Sequence, residues 1–220
     1  MERFGFVGLP NAGKSSLFNA LAGGGALAAP YAFATTDPNV GVVKVPDQRL
    51  DALAAMSESR KVVNSTTEFV DIGGLVEGAS QGEGLGNKFL AGIREVDALV
   101  LVLRTFSDED VPGPTDPIEH LRVVEIELTL ADLEAVEGRI DRRRKALRAD
   151  PRDAVLVAEV DALEEALILL SEGTPLYQSD LSNERRSALR EHFLLTNKPV
   201  MAVLNIGEDQ LTEANALSTA

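Results

Sequence analysis

The sequence predicts an α/β fold with a mostly parallel sheet, into which an antiparallel helical hairpin is inserted. A short apolar run, residues 4–7, is followed by a glycine-rich loop and the start of a helix, which is typical of a parallel strand–loop–helix unit. A nearly continuous apolar run over residues 98–103 is expected of a strand buried on both faces. Two long stretches with heptad-like apolar spacing then fill much of the second half.

The composition excludes several classes of protein. The chain has 220 residues, no cysteine and two histidines, which excludes disulfides, thiolate metal sites and a cysteine nucleophile and disfavours a histidine-rich metal site. No apolar run approaches the ~18 residues of a membrane span, and no signal peptide is evident, so we expect a cytoplasmic protein with no membrane partner. The net charge of −14 argues against general binding to DNA or RNA, so an RNA contact requires a local basic patch.

The first half of the chain alternates predicted strands and helices. Helix signals begin at residues 16–21, and a second helix enters at Pro46-Asp47 and runs to Met56. Residues 66–72 predict a strand that brings Asp71 to the carboxyl edge of the sheet, where ligands bind in parallel α/β folds. The other predicted elements are a loop over 31–38, a strand over 41–45 and a helix over 87–96.

The second half begins with an acidic linker and a capped helix start at Asp116-Pro117. The same start signal recurs at Asp150-Pro151, so the two apolar stripes predict an antiparallel coiled-coil hairpin whose first helix is about 45 Å long. A helix over 182–194 and a strand over 199–204 follow. The predicted division is therefore a nucleotide-binding domain over 1–106 and 198–220, incomplete at its carboxyl end, and a helical insertion over 107–197.

Residues 8–15, Gly-Leu-Pro-Asn-Ala-Gly-Lys-Ser, fit the phosphate-binding pattern G-x-x-x-x-G-K-[ST] between a strand and a helix. The glycines let backbone N–H groups approach phosphate oxygens, Lys14 would reach the β- and γ-phosphates, and the Ser15 hydroxyl would ligate Mg²⁺. The alternative is a glycine-rich turn with an incidental lysine. The predicted nucleotide contacts in this loop are Asn11, Ala12, Gly13, Lys14, Ser15 and Ser16.

A D-x-x-G sequence, Asp71 to Gly74, follows the third predicted strand. Asp71 would hold Mg²⁺ through water, and the Gly74 N–H would sense the γ-phosphate, although an ordinary strand-end turn is the alternative. Thr35 is the candidate for the loop residue that closes on Mg²⁺ and the γ-phosphate, and Thr36 could fill the same role equally well. The sequence thus predicts Lys14, Thr35 and Gly74 as catalytic residues and Ser15, Thr35 and Asp71 as metal ligands.

The order of these motifs resembles the YchF subfamily of Obg-like ATPases, which are P-loop NTPases. The likeness includes the phosphate loop, residues 69–76 and 82–90, and the run Glu-Leu-Thr-Leu-Ala-Asp-Leu-Glu at 127–134. The resemblance implies a Ras-like nucleotide domain with a helical coiled-coil insertion, in a protein that hydrolyses a nucleotide and associates with ribosomes.

Two departures from the subfamily pattern stand out. Members normally continue into a further base-binding loop, the rest of the sheet and a small β-rich TGS domain, so we expect a truncated product or fragment. They also usually carry a histidine in the loop after the fourth strand, where this chain has Asp-Val-Pro-Gly-Pro at 110–114. His120 lies nearby, and an exposed helical histidine is the favoured interpretation.

Residues 205–208, Asn-Ile-Gly-Glu, resemble the N-x-x-E form of the subfamily's base-recognition loop. The GTP-binding pattern N-K-x-D presents an aspartate to two guanine donors, whereas adenine offers an acceptor there. We therefore predict that Asn205, Ile206 and Glu208 contact the nucleotide and that adenine is modestly preferred. Asn205 could brace the loop or meet the adenine edge, and a simple turn after a strand is the alternative.

Three further expectations concern activity and partners. Leu75 occupies the place where Ras-type switches carry the water-orienting glutamine, so hydrolysis should be slow. Asn11 resembles the asparagine that coordinates K⁺ in related G-x-P-N-x-G-K-S proteins, with a loop-bracing role as the equal alternative. A basic cluster at the hairpin tip is predicted to bind the phosphate backbone of ribosomal RNA. The alternative is a solvated helix face whose cations neutralise neighbouring acidic side chains. The residues of the cluster are Arg142, Arg143, Arg144, Lys145, Arg148 and Arg152.

Overall fold

The computed structural model describes residues 1–23, 39–72, 85–107 and 114–213. Its sheet has five strands, which are β1 (Arg3–Val7), β2 (Asn39–Lys44), β3 (Thr66–Asp71), β4 (Ala98–Arg104) and β5 (Val200–Asn205). Its helices are α1 (Lys14–Gly23), α2 (Gln48–Met56), α3 (Leu85–Arg94), α4 (Pro117–Ala149), α5 (Ala154–Ser171) and α6 (Asn183–Ala188). Short 3₁₀ segments occupy Leu176–Gln178, Arg190–His192 and Glu208–Glu213. None of the helices in these ranges is long and apolar enough to cross a membrane.

The strand order is β2-β3-β1-β4-β5, and every neighbouring pair is parallel except β2 and β3. Because β1, β3, β4 and β5 run in the same direction, their carboxyl ends meet at one edge of the sheet. The loops after these strands carry the phosphate motif, the D-x-x-G sequence and the Asn-Ile-Gly-Glu run. The predicted α/β fold with a mostly parallel sheet is confirmed.

Both faces of the sheet are covered by helices, as the apolar run of β4 predicts. Alternate β4 residues point to opposite faces: Val100 and Val102 pack in the cluster beneath α1, while Leu99, Leu101 and Leu103 pack with α3. The amino-terminal part of α4 lies on this second face, where Val124, Leu128 and Ala131 join the same cluster. The first turns of α4 therefore belong to the core of the sheet.

The helical hairpin is built from the rest of α4, from α5 and from the segment after it. Asp116 caps α4 by accepting a hydrogen bond from the Ile118 N–H, as predicted, and α4 extends over 33 residues, about 50 Å. The predicted start of the second helix at Asp150-Pro151 is wrong: α5 begins at Ala154, and Asp153 is the cap, accepting from the N–H groups of Val155 and Leu156. The predicted helix over 182–194 is shorter, because α6 ends at Ala188 and a 3₁₀ turn follows.

A separate apolar cluster holds this hairpin together. Val136 and Ile140 of α4 pack against Ala162, Leu163 and Ala166 of α5. The segment that returns to the sheet adds a third layer to the same cluster through Leu176, Leu181, Leu189 and Leu194. The paired helices are thus buttressed along one side by the returning chain.

His120 is buried, with 1% of its surface exposed, so the expectation of an exposed helical histidine is wrong. It lies in the first turn of α4, where helix and sheet pack together, and its Nε2 is 2.7 Å from the Pro114 carbonyl oxygen. The sequence shows a histidine amid charged residues, and only the packing of α4 on the sheet accounts for its burial.

A buried carboxylate fastens the hairpin to the chain that enters β5. Asp132 of α4 is fully buried and accepts hydrogen bonds from the N–H groups of Leu195 (2.8 Å) and Thr196 (2.7 Å) and from the Thr196 hydroxyl (2.7 Å). Burial raises the pKa of Asp132, and these hydrogen bonds oppose the rise. Just downstream, the Lys198 ammonium donates to the carbonyl of Arg94 at the end of α3 (3.1 Å).

Replacing Asp132 with alanine is expected to lower the free energy of unfolding by about 3 kcal/mol, because two buried N–H groups and a hydroxyl lose their acceptor. Urea unfolding followed by circular dichroism measures the change. The matched control is Glu134→Ala, an exposed acid on the same helix, which should alter stability by less than about 0.5 kcal/mol. Equal stability of the two variants would contradict the fastening role of Asp132.

Candidate functional site

The loop between β1 and α1 is shaped by close backbone approaches. A Cβ on Gly8 would overlap the Val102 carbonyl oxygen, so the loop passes directly against β4. Gly13 has φ +96°, and a Cβ there would overlap the Asn205 side-chain amide. Ala12, between them in the loop, is fully buried, and Asn11 adopts the left-handed conformation with φ +63°. Both glycines of the motif are therefore required by geometry.

The Lys14 side chain turns back over this loop. Its ammonium donates hydrogen bonds to the carbonyl oxygens of Gly8 (3.0 Å) and Leu9 (2.8 Å), and only 6% of the residue is exposed. Burial lowers the pKa of Lys14, and the charge of Asp71 opposes that change. The ammonium is thus fixed beside the amino terminus of α1, where the first backbone N–H groups have no partner within the helix. The two features together make a binding place for anions.

Ser15 and Asp71 meet at the same edge of the sheet. The Ser15 hydroxyl donates to Asp71 Oδ2 at 2.6 Å, although 56 residues separate the two in sequence. Among the described residues no group of three or more His, Cys, Asp or Glu side chains could hold a metal ion. Hydroxyl and carboxylate oxygens are nevertheless the donors that Mg²⁺ prefers, and this ion commonly uses one or two protein ligands together with substrate phosphates and water. The pair fits Mg²⁺ in chemical type.

Asn205, at the end of β5, contacts the phosphate loop directly. Its side-chain amide donates to the Ala12 carbonyl oxygen at 3.0 Å. Ile206 and Glu208 follow it, half-buried and exposed respectively. The structure therefore brings the predicted base loop next to residues 12 and 13, and the contact of Asn205 is the one expected of a loop-bracing residue.

Two residues that the sequence did not point to complete this edge. Thr105 donates through both its N–H and its hydroxyl to the Asn205 carbonyl oxygen, each at 2.9 Å. Gln210 bridges the two loops: its amide nitrogen donates to the Thr105 carbonyl oxygen and its amide oxygen accepts from the Gly207 N–H. The position of Thr105 immediately after β4, at the edge that carries the motifs, could have indicated it; no sequence signal singled out Gln210.

The remaining predicted site residues divide into two groups. Asn11 and Ser16 lie at the exposed mouth of the loop and at the first turn of α1. Thr35 and Gly74 lie outside the described residues, as do Thr36 and Leu75, so the predicted closing loops stay predictions.

The basic cluster at the hairpin tip contains two kinds of residue. Arg143 pairs with Glu159 of α5 (2.8 Å), and Arg144 pairs with Glu164 (2.9 Å), so these two guanidinium groups hold the hairpin together. The others are exposed and, within the described part of the chain, form no ion pair: Arg142, Lys145, Arg148 and Arg152. Those four are thus the exposed cations of the cluster that have no ion partner among the described residues.

The sequence matches the family model described as 50S ribosome-binding GTPase over residues 3–121, more than half of the chain. The chain belongs to this family. The matched region contains β1, the phosphate loop and Asp71, which build part of the site, and it extends to the start of α4.

The chain is also similar to proteins that carry the YchF name. It is 45% identical over 213 residues to the ribosome-binding ATPase YchF of Bacillus subtilis (95% of this chain, 57% of the relative), and 46% identical over 208 residues to that of Pasteurella multocida (93% and 57%). The solved structure of the Schizosaccharomyces pombe YchF GTPase matches with a TM-score of 0.75 at 35% identity, over 97% of this chain and 58% of that one.

These matches confirm the predicted resemblance to YchF proteins and the P-loop nucleotide fold with its helical insertion. The chain spans somewhat more than half the length of the relatives it matches.

Proposed function

We propose that the chain binds a nucleoside triphosphate with Mg²⁺ at the carboxyl edge of the sheet and hydrolyses it. The observation that carries the proposal is the convergence of the buried Lys14 ammonium, the amino terminus of α1 and the Ser15–Asp71 pair at one place. A fixed cation and free helix N–H groups bind phosphates, and paired oxygen ligands bind the accompanying metal. The bacterial relatives are named ribosome-binding ATPases, which supports the same activity.

Each residue of the site has a proposed task. Lys14 would exchange its two carbonyl partners for the β- and γ-phosphate oxygens, which are stronger, charge-assisted acceptors. Ser15 and Asp71, with Thr35, would hold Mg²⁺, which when bound neutralises charge on the phosphates. The Gly74 N–H would contact the γ-phosphate. The backbone of residues 11–16 would surround the remaining phosphate oxygens.

The names of the similar proteins point to two different bases, since the bacterial relatives are called ATPases whereas the family and the fission yeast protein are called GTPases. The geometry favours a bracing role for Asn205, because its amide nitrogen is engaged by Ala12. Recognition of the base then falls to the backbone and side chains of residues 206–208. Glu208 has a longer side chain than aspartate and need not point where the guanine-reading carboxylate would, which supports a preference for adenine.

Competition binding with ATP and GTP tests this preference. We expect ATP to bind more tightly than GTP, by about tenfold or less. A site rejects the wrong base through the polar groups that would be left unpaired, and few such groups are present in residues 205–208. Tighter binding of GTP would contradict the adenine preference and favour a GTP-specific switch.

Hydrolysis by the isolated chain should be slow, below about 1 s⁻¹, since Leu75 cannot orient water and the subfamily's usual histidine is absent. Asn11 lies at the exposed mouth of the loop, a place open to the proposed K⁺. Phosphate release measured in KCl and in NaCl tests that role, and equal rates in the two salts would argue for loop bracing instead.

A second candidate function is a nucleotide-binding module that does not hydrolyse and presents the hairpin to a partner. The length of α4 and the exposed cations at its far end favour an interaction arm in either case. Phosphate release with and without ribosomes separates the two functions: absence of release under both conditions would support the second.

The proposed partner is the ribosome, reached through ribosomal RNA at the hairpin tip. The tip is a local positive patch on a chain of net charge −14, so it satisfies the requirement for a phosphate-binding surface. We propose accordingly that residues 107–197 act as the interaction unit and that 1–106 and 198–220 act as the nucleotide unit. A ribosomal partner also supports a cytoplasmic location.

A further inference from the structure

Gln210 completes a strand pairing that the backbone leaves open. Strands β4 and β5 pair in parallel up to Arg104 and Asn205, and the Thr105 N–H then donates to the Asn205 carbonyl oxygen at 2.9 Å. In a parallel ladder the Thr105 carbonyl would next accept from the N–H of residue 207. Instead it accepts from Gln210 Nε2 at 3.2 Å, while the Gly207 N–H donates to Gln210 Oε1 at 2.8 Å.

One direct hydrogen bond of the ladder is thus replaced by two hydrogen bonds through the side-chain amide of Gln210. Its oxygen accepts as a peptide carbonyl would, and its nitrogen donates as a peptide N–H would. The amide group lies between the Thr105 carbonyl and the Gly207 N–H, at the edge where the base loop begins. The Gln210 backbone N–H also donates to the Gly207 carbonyl oxygen (3.1 Å), so residue 207 is held on both sides. Space there is limited, because a Cβ on Gly207 would overlap the Asp209 carboxylate.

The same hydrogen bonds continue to the phosphate loop. Thr105, which is 9% exposed, binds the Asn205 carbonyl oxygen through two donors, and the Asn205 amide binds the Ala12 carbonyl oxygen. A network in which each buried polar group has a partner holds its members in one arrangement. The opening between the two loops is therefore fixed relative to the phosphate site before any ligand binds.

We infer that Gln210 is a positioning residue that sets the opening of the loop over residues 205–208 and thereby determines how tightly the base of a nucleotide is held. The inference rests on the proposed function, since the opening matters only if a nucleotide occupies this edge. Without the side-chain amide, the Gly207 N–H can pair directly with the Thr105 carbonyl, which closes the loop onto β4. This closure should lower the affinity for a triphosphate that carries a base, and it should leave the affinity for phosphates alone unchanged.

The test compares Gln210→Ala with the wild-type chain in competition binding of ATP and of tripolyphosphate, which has phosphates but no base. We expect the affinity for ATP to fall about tenfold, as for the loss of one or two net hydrogen bonds, with the affinity for tripolyphosphate unchanged. Gln178→Ala is the matched control, because Gln178 is a glutamine whose amide bonds to Glu125 in the hairpin, and it should change neither affinity. Gln210→Glu keeps the acceptor but loses the donor and should weaken ATP binding as well.

Unchanged ATP affinity in both Gln210 variants, or an equal loss of ATP and tripolyphosphate binding, would overturn the positioning role. Failure of the proposed function has a different signature. If the wild-type chain binds ATP no more tightly than tripolyphosphate, the proposal that this edge recognises a base is wrong. The positioning role of Gln210 is then excluded as well.

Discussion

Replacing Lys14 with methionine is expected to lower the affinity for ATP by about a hundredfold and to abolish its hydrolysis. The substitution removes the ammonium that lies over the phosphate loop, and a hydrogen bond to a charged group contributes about 1.5–3 kcal/mol. It also leaves the carbonyl oxygens of Gly8 and Leu9 without the donor they have in the structure. Titration with a fluorescent ATP analogue and a phosphate-release assay measure the two effects.

The control for this prediction is Lys145→Met, which removes an exposed lysine at the hairpin tip. It should leave ATP affinity and hydrolysis unchanged, and thermal unfolding of both variants shows whether the Lys14 variant is folded. A folded Lys14→Met protein that binds and hydrolyses ATP like the wild type would exclude the loop as the phosphate site.

Reversing the free cations of the tip, in the triple variant Arg142→Glu, Lys145→Glu and Arg148→Glu, is expected to weaken ribosome binding by about a hundredfold at physiological salt. Three phosphate contacts are lost, so the dependence of log affinity on log salt concentration should flatten by about three. Co-sedimentation with ribosomes over a salt series measures both quantities. Arg143 and Arg144 are left in place, because reversing them would set like charges against Glu159 and Glu164.

The matched control reverses three exposed cations outside the tip: Arg60→Glu, Lys61→Glu and Arg122→Glu. It changes the net charge by the same amount, so a general electrostatic effect would weaken both variants equally. ATP affinity should be unaffected in both. Sedimentation of the tip variant that equals that of the wild type at every salt concentration would rule out the tip as the contact surface.

The parts of the fold that depend on short-range pattern could be predicted from sequence. The phosphate loop is recognisable because its motif is contiguous in sequence, although the space that excludes a Cβ at Gly8 and Gly13 is set by distant residues of β4 and β5. The apolar run of β4 likewise predicts burial on both faces. The position of Asp71 at the carboxyl edge follows from the strand that ends there, whereas its contact with Ser15, 56 residues away, requires the parallel pairing of β1 and β3.

The parts that could not be predicted depend on contacts between distant segments. Asn205 meets Ala12 across 193 residues, and Gln210 reaches Thr105 across 105 residues. The burial of His120 and the ion pairs of Arg143 and Arg144 likewise arise only when α4 packs on the sheet and on α5. Asp150-Pro151 carries the same capping signal as Asp116-Pro117, yet the turn geometry selects Asp153 as the cap.

We propose that Lys14, Ser15 and Asp71 form a Mg²⁺-dependent site for nucleoside triphosphate hydrolysis. The most direct test follows phosphate release from ATP by the wild-type chain in excess Mg²⁺, in EDTA, and with Lys14→Met in excess Mg²⁺. The proposed function predicts slow release by the wild type that requires Mg²⁺ and disappears in the variant. Release that is equal in all three conditions, or absent from the wild type even with Mg²⁺, K⁺ and ribosomes present, would contradict it.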